Sequence, residues 1–339
     1  METLETYLKN VTAGEPVEHK NLTLVPLWGE RHGALDYILA ADAIGSGSLS
    51  IMELGESGSV PELRAVNKAD TMILLLDGEE LVGAKQNRIL NTTVLLPAKS
   101  KTTIPVSCVE QGRWRHTSRE FRSGGYSPSH LRARKSRDVG RSLRAEGRAV
   151  SDQGTVWESV AENLAGVGAA SPTMAMHDAV EQRRDSLEDY MKALPCPADA
   201  RGVFVAIGAK FAAVDLFDRP DTLCRVWPRL VMGYALDALA RLDREEKPFS
   251  PKGPQVILER AGQIPCEPCP SVGVGQDLRF EAEDLVGQAL VAEGVCVHLS
   301  IFPNDDENRR YSRRVNGPRI QPPSDRRENR HRSPDNTVE

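Results

Sequence analysis

Short apolar runs separated by turn-forming residues dominate the first hundred positions of the chain. The run at 71–76 is almost wholly apolar, which is typical of a strand covered on both faces. The other runs alternate apolar with polar residues or are bounded by Gly and Pro, as strands of a sheet are. The pattern predicts a short helix and six strands, the helix at 34–43 and the strands at 22–28, 49–54, 60–66, 71–76, 89–96 and 102–106.

After position 150 the apolar spacing becomes that of helices, followed by more strands. Amphipathic helices are predicted at 156–164, at 176–194 and from Asp221 to Leu242, with a kink or new start at Pro228. The runs 202–208 and 211–217 predict a buried hairpin, and four later runs predict single strands at 256–260, 277–281, 287–292 and 296–302. We therefore expect an α+β fold, with a β-rich sandwich or barrel-like sheet followed by amphipathic helices and further strands.

A basic segment separates the two patterns. Residues 113–148 contain eleven Lys or Arg and three acids. The segment could be a solvated, loosely helical linker, an arginine-rich lid that closes over phosphate groups, or a nucleic-acid contact. We expect one domain over 1–303, composed of a β-rich part (1–112), a basic connecting segment (113–150) and a mixed helix and strand part (151–303).

The end of the chain lacks the apolar residues needed to build a core. From Asp306 onward it contains nine Arg and six acids, which predicts a disordered polar tail over 304–339. The acids are interspersed with the arginines and dilute their positive field. We therefore do not expect the tail to bind nucleic acid.

Composition and net charge argue against some classes of protein for this sequence, namely nucleic-acid-binding and membrane-spanning proteins. The 339 residues are 40% hydrophobic and 27% charged, with a formal net charge of -5, which speaks against bulk attraction to nucleic acid or an anionic membrane surface. No apolar run approaches the ~20 residues needed to cross a bilayer, and the N-terminus lacks a signal-peptide pattern. We expect a cytoplasmic protein whose six cysteines are mostly thiols.

Candidate catalytic residues follow the apolar run at 71–76. Glu79 and Glu80 come after a turn at Asp77–Gly78. Adjacent side chains on an extended segment point to opposite faces, so one carboxylate would face a pocket, as a general base or an acceptor for a ribose hydroxyl. Alternatively, the acids are solvated at a turn that ends the strand.

The bases and amides that come next predict the binding of an anionic ligand, because they supply more hydrogen-bond donors than a hairpin needs. Cys108 nearby is either a small buried apolar residue or a nucleophile with His116 as its base. No phosphate-binding glycine loop and no G-x-S-x-G elbow occurs in the sequence, and no motif assigns a cofactor. The predicted ligand-binding residues are Lys85, Gln86, Asn87, Arg88, Asn91, Glu110 and Arg113.

Cys266 and Cys269 have the two-residue spacing of zinc sites and redox pairs. A structural zinc ion needs four ligands, which Cys296 and His298 could complete from a strand. The absence of a second such pair favours ordinary turn thiols and no metal. The zinc site and a redox pair remain the alternatives.

Three motifs resemble one known family. Val60–Leu63, Asp77–Arg88 and Ile104–Trp114, together with residues 202–218 and the strand around His298, are similar to the ARG and rhodanese-phosphatase-superfamily-associated protein domain over about residues 1–303. The resemblance implies handling of ADP-ribose, NAD-derived nucleotides or related phosphorylated metabolites, and it supplies no catalytic residues. We expect binding or processing of a nucleotide-linked anionic metabolite; the alternative is a non-catalytic interaction or scaffold module whose polar cluster is structural.

Overall fold

The computed structural model of the protein describes residues 2–30, 33, 35–55, 58–242 and 249–304. The strands are β1 (Glu2–Thr3), β2 (Thr12–Ala13), β3 (Val17–His19), β4 (Leu22–Trp28), β5 (Tyr37–Leu39), β6 (Leu49–Glu53), β7 (Glu62–Asn67), β8 (Met72–Leu75), β9 (Glu79–Gly83), β10 (Arg88–Leu90), β11 (Val94–Leu96), β12 (Lys101–Cys108), β13 (Phe121–Tyr126), β14 (Gly202–Ile207), β15 (Lys210–Phe217), β16 (Pro265–Pro270), β17 (Gln276–Glu281), β18 (Leu285–Ala292) and β19 (Val295–Pro303). The helices are α1 (Glu5–Leu8), α2 (Ala40–Gly45), α3 (Ser129–Glu146), α4 (Gln153–Gly166), α5 (Met176–Gln182), α6 (Arg184–Ala193), α7 (Pro220–Leu239) and α8 (Gly253–Gln263).

The largest sheet joins the two ends of the described chain. Its strand order is β1-β16-β17-β18-β19-β15-β14-β4-β2, and β3 also pairs with β4. Apolar residues of α1 and α8, such as Leu8 and Leu258, belong to the core on one face of this sheet. Helices α3 and α7 pack against the other face. Period-two alternation along these strands therefore sends one set of side chains to each of two separate cores.

Strands β5 to β13 of the N-terminal part form two smaller sheets. One has the order β13-β9-β10-β12-β7-β6 and the other has the order β11-β8-β5, in which β5 and β8 run parallel. A third core, which includes Leu75, Leu81 and Leu90, joins strands of both sheets. The β9–β10 ribbon, which contains the predicted site residues from Glu79 to Arg88, is thus an internal part of the fold.

The predicted α+β class is confirmed, with a β-rich N-terminal part followed by helices and further strands. The hairpin β14–β15 forms at the predicted turn. No helix in the described ranges has both the length and the apolar character needed to span a bilayer. The predicted disordered tail lies outside the described residues from position 305 onward.

Several predicted elements differ from those in the structure. The predicted strand at 256–260 is part of helix α8, because Leu258 and Ala261, three residues apart, are buried on one face while Val256 is exposed. The predicted helix at 34–43 is strand β5 followed by α2, the predicted helix at 176–194 is divided into α5 and α6 at Arg183, and α7 continues through Pro228.

The basic segment contains a buried helix, so its interpretation as a solvated linker is wrong. Helix α3 packs against strands β15, β17, β18 and β19 of the largest sheet. The side chains of Arg132 and Lys135 on α3 are 0% exposed. Cations are almost never fully buried unless they are paired, and here their partners are Asp77 and Asp215. These two residues therefore do not act as a lid over a ligand.

Candidate functional site

The predicted site residues from Glu79 to Asn91 lie on a segment that is buried along its whole length. Every residue from 73 to 96 is buried, including Glu79 and Glu80. Gly78 makes the turn before β9 with a φ of +81°, and a Cβ atom there would lie 2.7 Å from Ser127 Oγ. The interpretation of these acids as solvated turn residues is wrong. Each of their carboxylates instead requires a partner inside the protein.

The two adjacent carboxylates bind different helices, as the alternation along a strand predicts. Glu79 Oε1 accepts hydrogen bonds from Arg229 of α7 and, at 3.3 Å, from Ser123. Glu80 Oε2 lies 3.1 Å from His177 Nδ1 on α5 and accepts the Gly125 N–H at 3.2 Å. The hydrogen bond with Glu80 raises the pKa of His177. Glu79 and Glu80 therefore do not form an acid and base pair.

Three predicted ligand-binding residues bind one another. Arg113 donates to both oxygens of Glu110, at 2.8 and 2.6 Å, and to Asn87 Oδ1 at 3.2 Å. Glu110 also accepts the Asn87 backbone N–H at 3.1 Å and the Thr173 hydroxyl at 3.1 Å. Burial raises the pKa of Glu110, but the bond from Arg113 and its other partners outweigh this and hold the pKa below its usual range. This triad connects the β9–β10 turn to the segment after β12, which is a structural role.

Asn91 is also held by the protein itself. Its Oδ1 accepts the Ser107 hydroxyl at 2.7 Å, and its Nδ2 donates to the Ala149 carbonyl at 3.1 Å. Both ends of the amide are thus used in joining β10, β12 and the chain after α3. Asn91 has little capacity left for a ligand.

Arg88 differs from these residues because its guanidinium group is only partly paired. Arg88 Nη1 donates to Gln86 Oε1 at 3.0 Å, and Gln86 Nε2 donates to the Glu110 carbonyl at 2.8 Å. The side chain of Arg88 is 0% exposed, yet Nε and Nη2 have no hydrogen-bond partner among the described residues. A buried guanidinium with two unused donors is energetically unfavourable unless an acceptor occupies the space beside it.

Trp114 and Lys85 complete the surroundings of Arg88. The Trp114 ring centre lies 5.8 Å from Arg88 Cζ and 5.3 Å from Lys85 Nζ, both within cation–π range. Trp114 is 49% exposed, whereas Lys85 is 8% exposed. The indole therefore lies between two largely buried cations and solvent. We call Lys85, Gln86, Arg88 and Trp114 the Arg88 site.

Cys108 lies beside the Arg88 site but lacks the features of a nucleophile. Its thiol donates to Gln86 Oε1 at 3.2 Å and to the Glu110 carbonyl at 3.1 Å. Burial raises the pKa of the Cys108 thiol, although the nearby Arg88 opposes the shift. His116, the base suggested by sequence proximity, contacts the Ser118 carbonyl. The structure favours Cys108 as a buried packing residue.

A second polar cluster lies beneath α3. Arg132 binds both oxygens of Asp215, at 2.8 and 2.7 Å, and reaches Asp77 at 3.2 Å. Lys135 also binds Asp77 and donates to the Leu90 carbonyl at 2.7 Å. Burial lowers the pKa of Lys135 to about 8, with Asp77 opposing the shift. All four side chains are fully buried, so the cluster is an internal ion network and not a ligand site.

Asp215 also has hydrogen-bond partners on strand β19 and on α7. Tyr234 donates to Oδ2, and Ser300 Oγ and His298 Nε2 each lie 3.1 Å from Oδ1. His298 Nδ1 lies 2.7 Å from Thr93 Oγ1, which extends the network to the segment between β10 and β11. The network therefore joins the largest sheet to helices α3 and α7 and to the N-terminal sheets.

Sequence reasoning missed this network, although a weak signal for it was present. Asp215 is a single acid within the otherwise apolar strand 211–217, and Arg132 and Lys135 have the i, i+3 spacing of one helix face. A charge inside a buried strand requires an opposite charge. The sequence does not say which of the eleven basic residues in the segment supplies it.

The ion network beneath α3 predicts that the folded protein loses stability at acid pH. Burial raises the pKa of Asp215 and Asp77, but Arg132 beside the first and Lys135 beside the second outweigh burial and hold both values below the usual range. A carboxyl with a depressed native pKa contributes stability above its unfolded pKa of about 3.9 and loses it as pH falls through the native value. We expect the contribution of these two carboxyls to the free energy of unfolding to change little between pH 7 and 5 and to fall below about pH 4, by up to roughly 2.7 kcal/mol per pH unit. Urea unfolding at a series of pH values measures this; a flat profile down to pH 2 would contradict it.

The four residues of the alternative zinc site have different surroundings. Cys266 and Cys296 belong to the core between the largest sheet and α8, whereas Cys269 is in register with Asp277 on the next strand. His298 is engaged by Thr93 and Asp215. In the described ranges no three His, Cys, Asp or Glu side chains are arranged to hold a metal ion.

Two cysteines are not thiols. Cys196 and Cys224 form a disulfide with their Cα atoms 5.7 Å apart, which connects the chain after α6 to α7. Cys108, Cys266, Cys269 and Cys296 are free and buried. The expectation of thiols therefore holds for four of the six cysteines.

Comparison with known proteins finds a matching family model. A family model described as the ARG and Rhodanese-Phosphatase-superfamily-associated Protein domain matches residues 10–302. Neither the curated proteins nor the solved structures contain a match to this chain. The matched range includes the Arg88 site, the Glu110–Arg113–Asn87 triad and the ion network beneath α3.

Proposed function

The chain belongs to the ARG and rhodanese-phosphatase-superfamily-associated protein domain family, and from this premise we propose that it binds a small anionic metabolite at the Arg88 site. The main observation in support is the buried guanidinium of Arg88, whose Nε and Nη2 have no hydrogen-bond partner among the described residues. These two nitrogens lie on one edge of the guanidinium fork, which matches two oxygens of a phosphate or carboxylate. The ligand would supply the acceptors that the protein lacks.

Charge and shape support an anion with an attached ring or base. Lys85 adds a second cation near Arg88, and Trp114 offers a large aromatic face beside both. An indole can stack on a nucleobase while the cations neutralise a phosphate. This agrees with a nucleotide-linked ligand such as ADP-ribose or an NAD-derived compound. A nucleotide-linked ligand also agrees with a cytoplasmic location, which we include in the proposal.

Glu80 does not belong to the proposed binding site around Arg88. Glu80 pairs with Ile89 across the β9–β10 ribbon, whereas Arg88 pairs with Leu81. Directly opposed residues share a face and neighbours alternate, so Glu80 and Arg88 project from opposite faces. Glu80 would therefore act in catalysis only at a different surface, together with His177.

One observation favours a structural module instead. Asn87, Asn91, Glu110 and Arg113 use their polar groups within the protein. If the Arg88 site has the same role, a bound water would satisfy Arg88, and no metabolite would stabilise the fold.

A thermal-shift assay with ADP-ribose, NAD and inorganic phosphate tests the proposal. A ligand at about 100 times its Kd stabilises the folded state by about 2.7 kcal/mol. We expect at least one of these compounds to raise the melting temperature of the unmodified protein. We expect Arg88→Met to remove that shift. The melting temperature without ligand should stay equal or rise, because a buried and incompletely paired charge is replaced by an apolar side chain of similar length.

The matched control is Arg64→Met, which removes an exposed arginine from strand β7 of the same sheet. This variant should keep the full ligand shift. If none of the three compounds shifts the unmodified protein, or if both variants lose the shift equally, the Arg88 site is not a binding site and the structural module is the better description.

A further inference from the structure

The Cys196–Cys224 disulfide differs from the other cysteines of the chain because it lies at the surface. Cys224 is exposed and Cys196 is half-buried. The four free cysteines are at most 6% exposed. Thiol–disulfide exchange requires a thiolate to reach a sulfur atom, so access decides which cysteines react. A small thiol in solution can therefore reach this disulfide and not the four buried thiols.

The disulfide ties an irregular segment to helix α7. We call residues 195–199, which follow α6 and precede β14, the connector. Cys224 lies in the second turn of α7. Two of the five connector residues are prolines, which have no backbone N–H to donate. The connector also accepts the Trp28 indole N–H at its Ala198 carbonyl, at 3.3 Å in an exposed position. The disulfide is therefore the strongest link between the connector and α7.

The residues on either side of the connector are held independently of the disulfide. Leu194 is 1% exposed, and its carbonyl accepts the Trp227 indole N–H at 2.9 Å. At the other end, the Arg201 N–H donates to the Leu27 carbonyl at 3.0 Å. These bonds remain when the S–S bond is broken. Reduction would therefore release the connector while α6, α7 and β14 stay packed.

We propose that Cys196 and Cys224 form a reversible redox site that exchanges with a small thiol such as glutathione. The glutathione thiolate attacks Cys224 Sγ, the S–S bond breaks, and Cys196 leaves as a thiolate that takes a proton from water. A second glutathione thiolate then attacks the glutathione sulfur of the mixed disulfide. Cys224 leaves as a thiolate, and oxidised glutathione is released. The two electrons that reduce the protein thus come from two glutathione molecules.

Surface exposure favours a reversible role over a permanent structural one. Exposed disulfides have more oxidising potentials than buried structural disulfides, and they are the ones that exchange. In a reducing compartment the pair would be two thiols, and it would close when oxidised glutathione accumulates. Closure ties the connector to α7, the helix whose Arg229 binds Glu79. The redox site is separate from the Arg88 site and does not depend on the function proposed there.

Thiol titration of the native full chain with Ellman's reagent tests the site. The oxidised protein should have no fast-reacting thiols, because its free cysteines are buried. After incubation with excess reduced glutathione and removal of the glutathione, about two fast-reacting thiols per chain should appear. Excess oxidised glutathione should remove both of them again.

Single substitutions test which sulfur is attacked. Cys196→Ser leaves Cys224 as an exposed thiol, and Cys224→Ser leaves Cys196 as a half-buried one. Mass spectrometry should show that the first variant forms a mixed disulfide with oxidised glutathione about tenfold faster than the second. Cys269→Ser is the matched control, because it removes a buried thiol and should keep the two fast-reacting thiols after reduction.

Hydrogen exchange gives a second readout at the connector. The amides of residues 195–199 should exchange about tenfold faster in the reduced protein than in the oxidised protein, whereas those of α3 should exchange equally. Reduction should also lower the melting temperature by roughly 5–10 °C, because the disulfide links residues 28 positions apart.

The proposal is wrong if glutathione releases no thiols from the native protein but releases two from the denatured protein, because the disulfide would then be a permanent structural link. It is also wrong if the four buried thiols react together with the pair. Failure of the reduced protein to close in oxidised glutathione would exclude reversibility. Equal rates in Cys196→Ser and Cys224→Ser would contradict attack at Cys224.

Discussion

Replacing Arg132 by methionine is expected to lower the free energy of unfolding by about 3–5 kcal/mol, the usual cost of removing one partner from a buried ion pair. Arg132 is the cation that Asp77 and Asp215 share, and all three side chains are fully buried. Its guanidinium also lies 4.9 Å from the ring centres of Tyr126 and Phe302. Without it, Asp215 keeps Tyr234, Ser300 and His298 as partners but loses its bidentate partner, and Asp77 keeps its ion pair with Lys135.

Denaturant unfolding at pH 7 measures this loss, which is a large part of the 5–15 kcal/mol typical of folded proteins. Arg141→Met is the control, because Arg141 is on the same helix but its side chain is 52% exposed and its ion pair with Glu281 is at the surface. The control should lose no more than about 1 kcal/mol. A loss below about 1 kcal/mol for Arg132→Met would mean that the network does not hold the sheet and α3 together.

Replacing Asp237 by alanine is expected to cost about 3 kcal/mol, because this buried carboxylate closes the start of α3. The residue before the helix is Pro128, whose side chain makes no cap, and Asp237 of α7 supplies the acceptor instead. Asp237 accepts hydrogen bonds from the Ser129 hydroxyl, from the His130 backbone N–H at 3.1 Å and from the His130 ring. Alanine leaves all three donors without an acceptor in a buried place.

Two further variants separate charge from capping. Asp237→Asn keeps an acceptor for the helix start but loses the charge, so about 1–2 kcal/mol should be lost. Asp221→Ala removes an exposed acid from the first turn of the same helix α7, where it pairs with Arg219 at 3.2 Å, and should cost less than about 1 kcal/mol. Denaturant midpoints of the three variants measure the order of these losses. Equal losses for Asp237→Ala and Asp221→Ala would show that the cap has no special role.

The location of the polar cluster could be predicted from the sequence, but its internal organisation could not. The apolar run before Asp77 indicated a covered strand, and the structure buries every residue from 73 to 96. Seven neighbouring polar residues nevertheless divide into different roles. Glu79 and Glu80 bind different helices, Asn87 joins a closed triad, and Arg88 keeps unused donors. These roles depend on partners more than twenty positions away, which local spacing does not reveal.

The sequence by itself determined the α+β class, the N-terminal strands β4, β6, β7, β8 and β12, and the β14–β15 hairpin. These features follow from local physics, because periodicity sets which face of a strand is buried and turn residues set where it ends. Only the tertiary structure decided that α3 is a buried helix, since the acids that neutralise it lie 55 and 83 positions away in Asp77 and Asp215. A charge can be buried only where the fold brings its counter-charge. The pairing of β15 with β19, and of β18 with β17 and β19, forms the part of the sheet on which α3 packs.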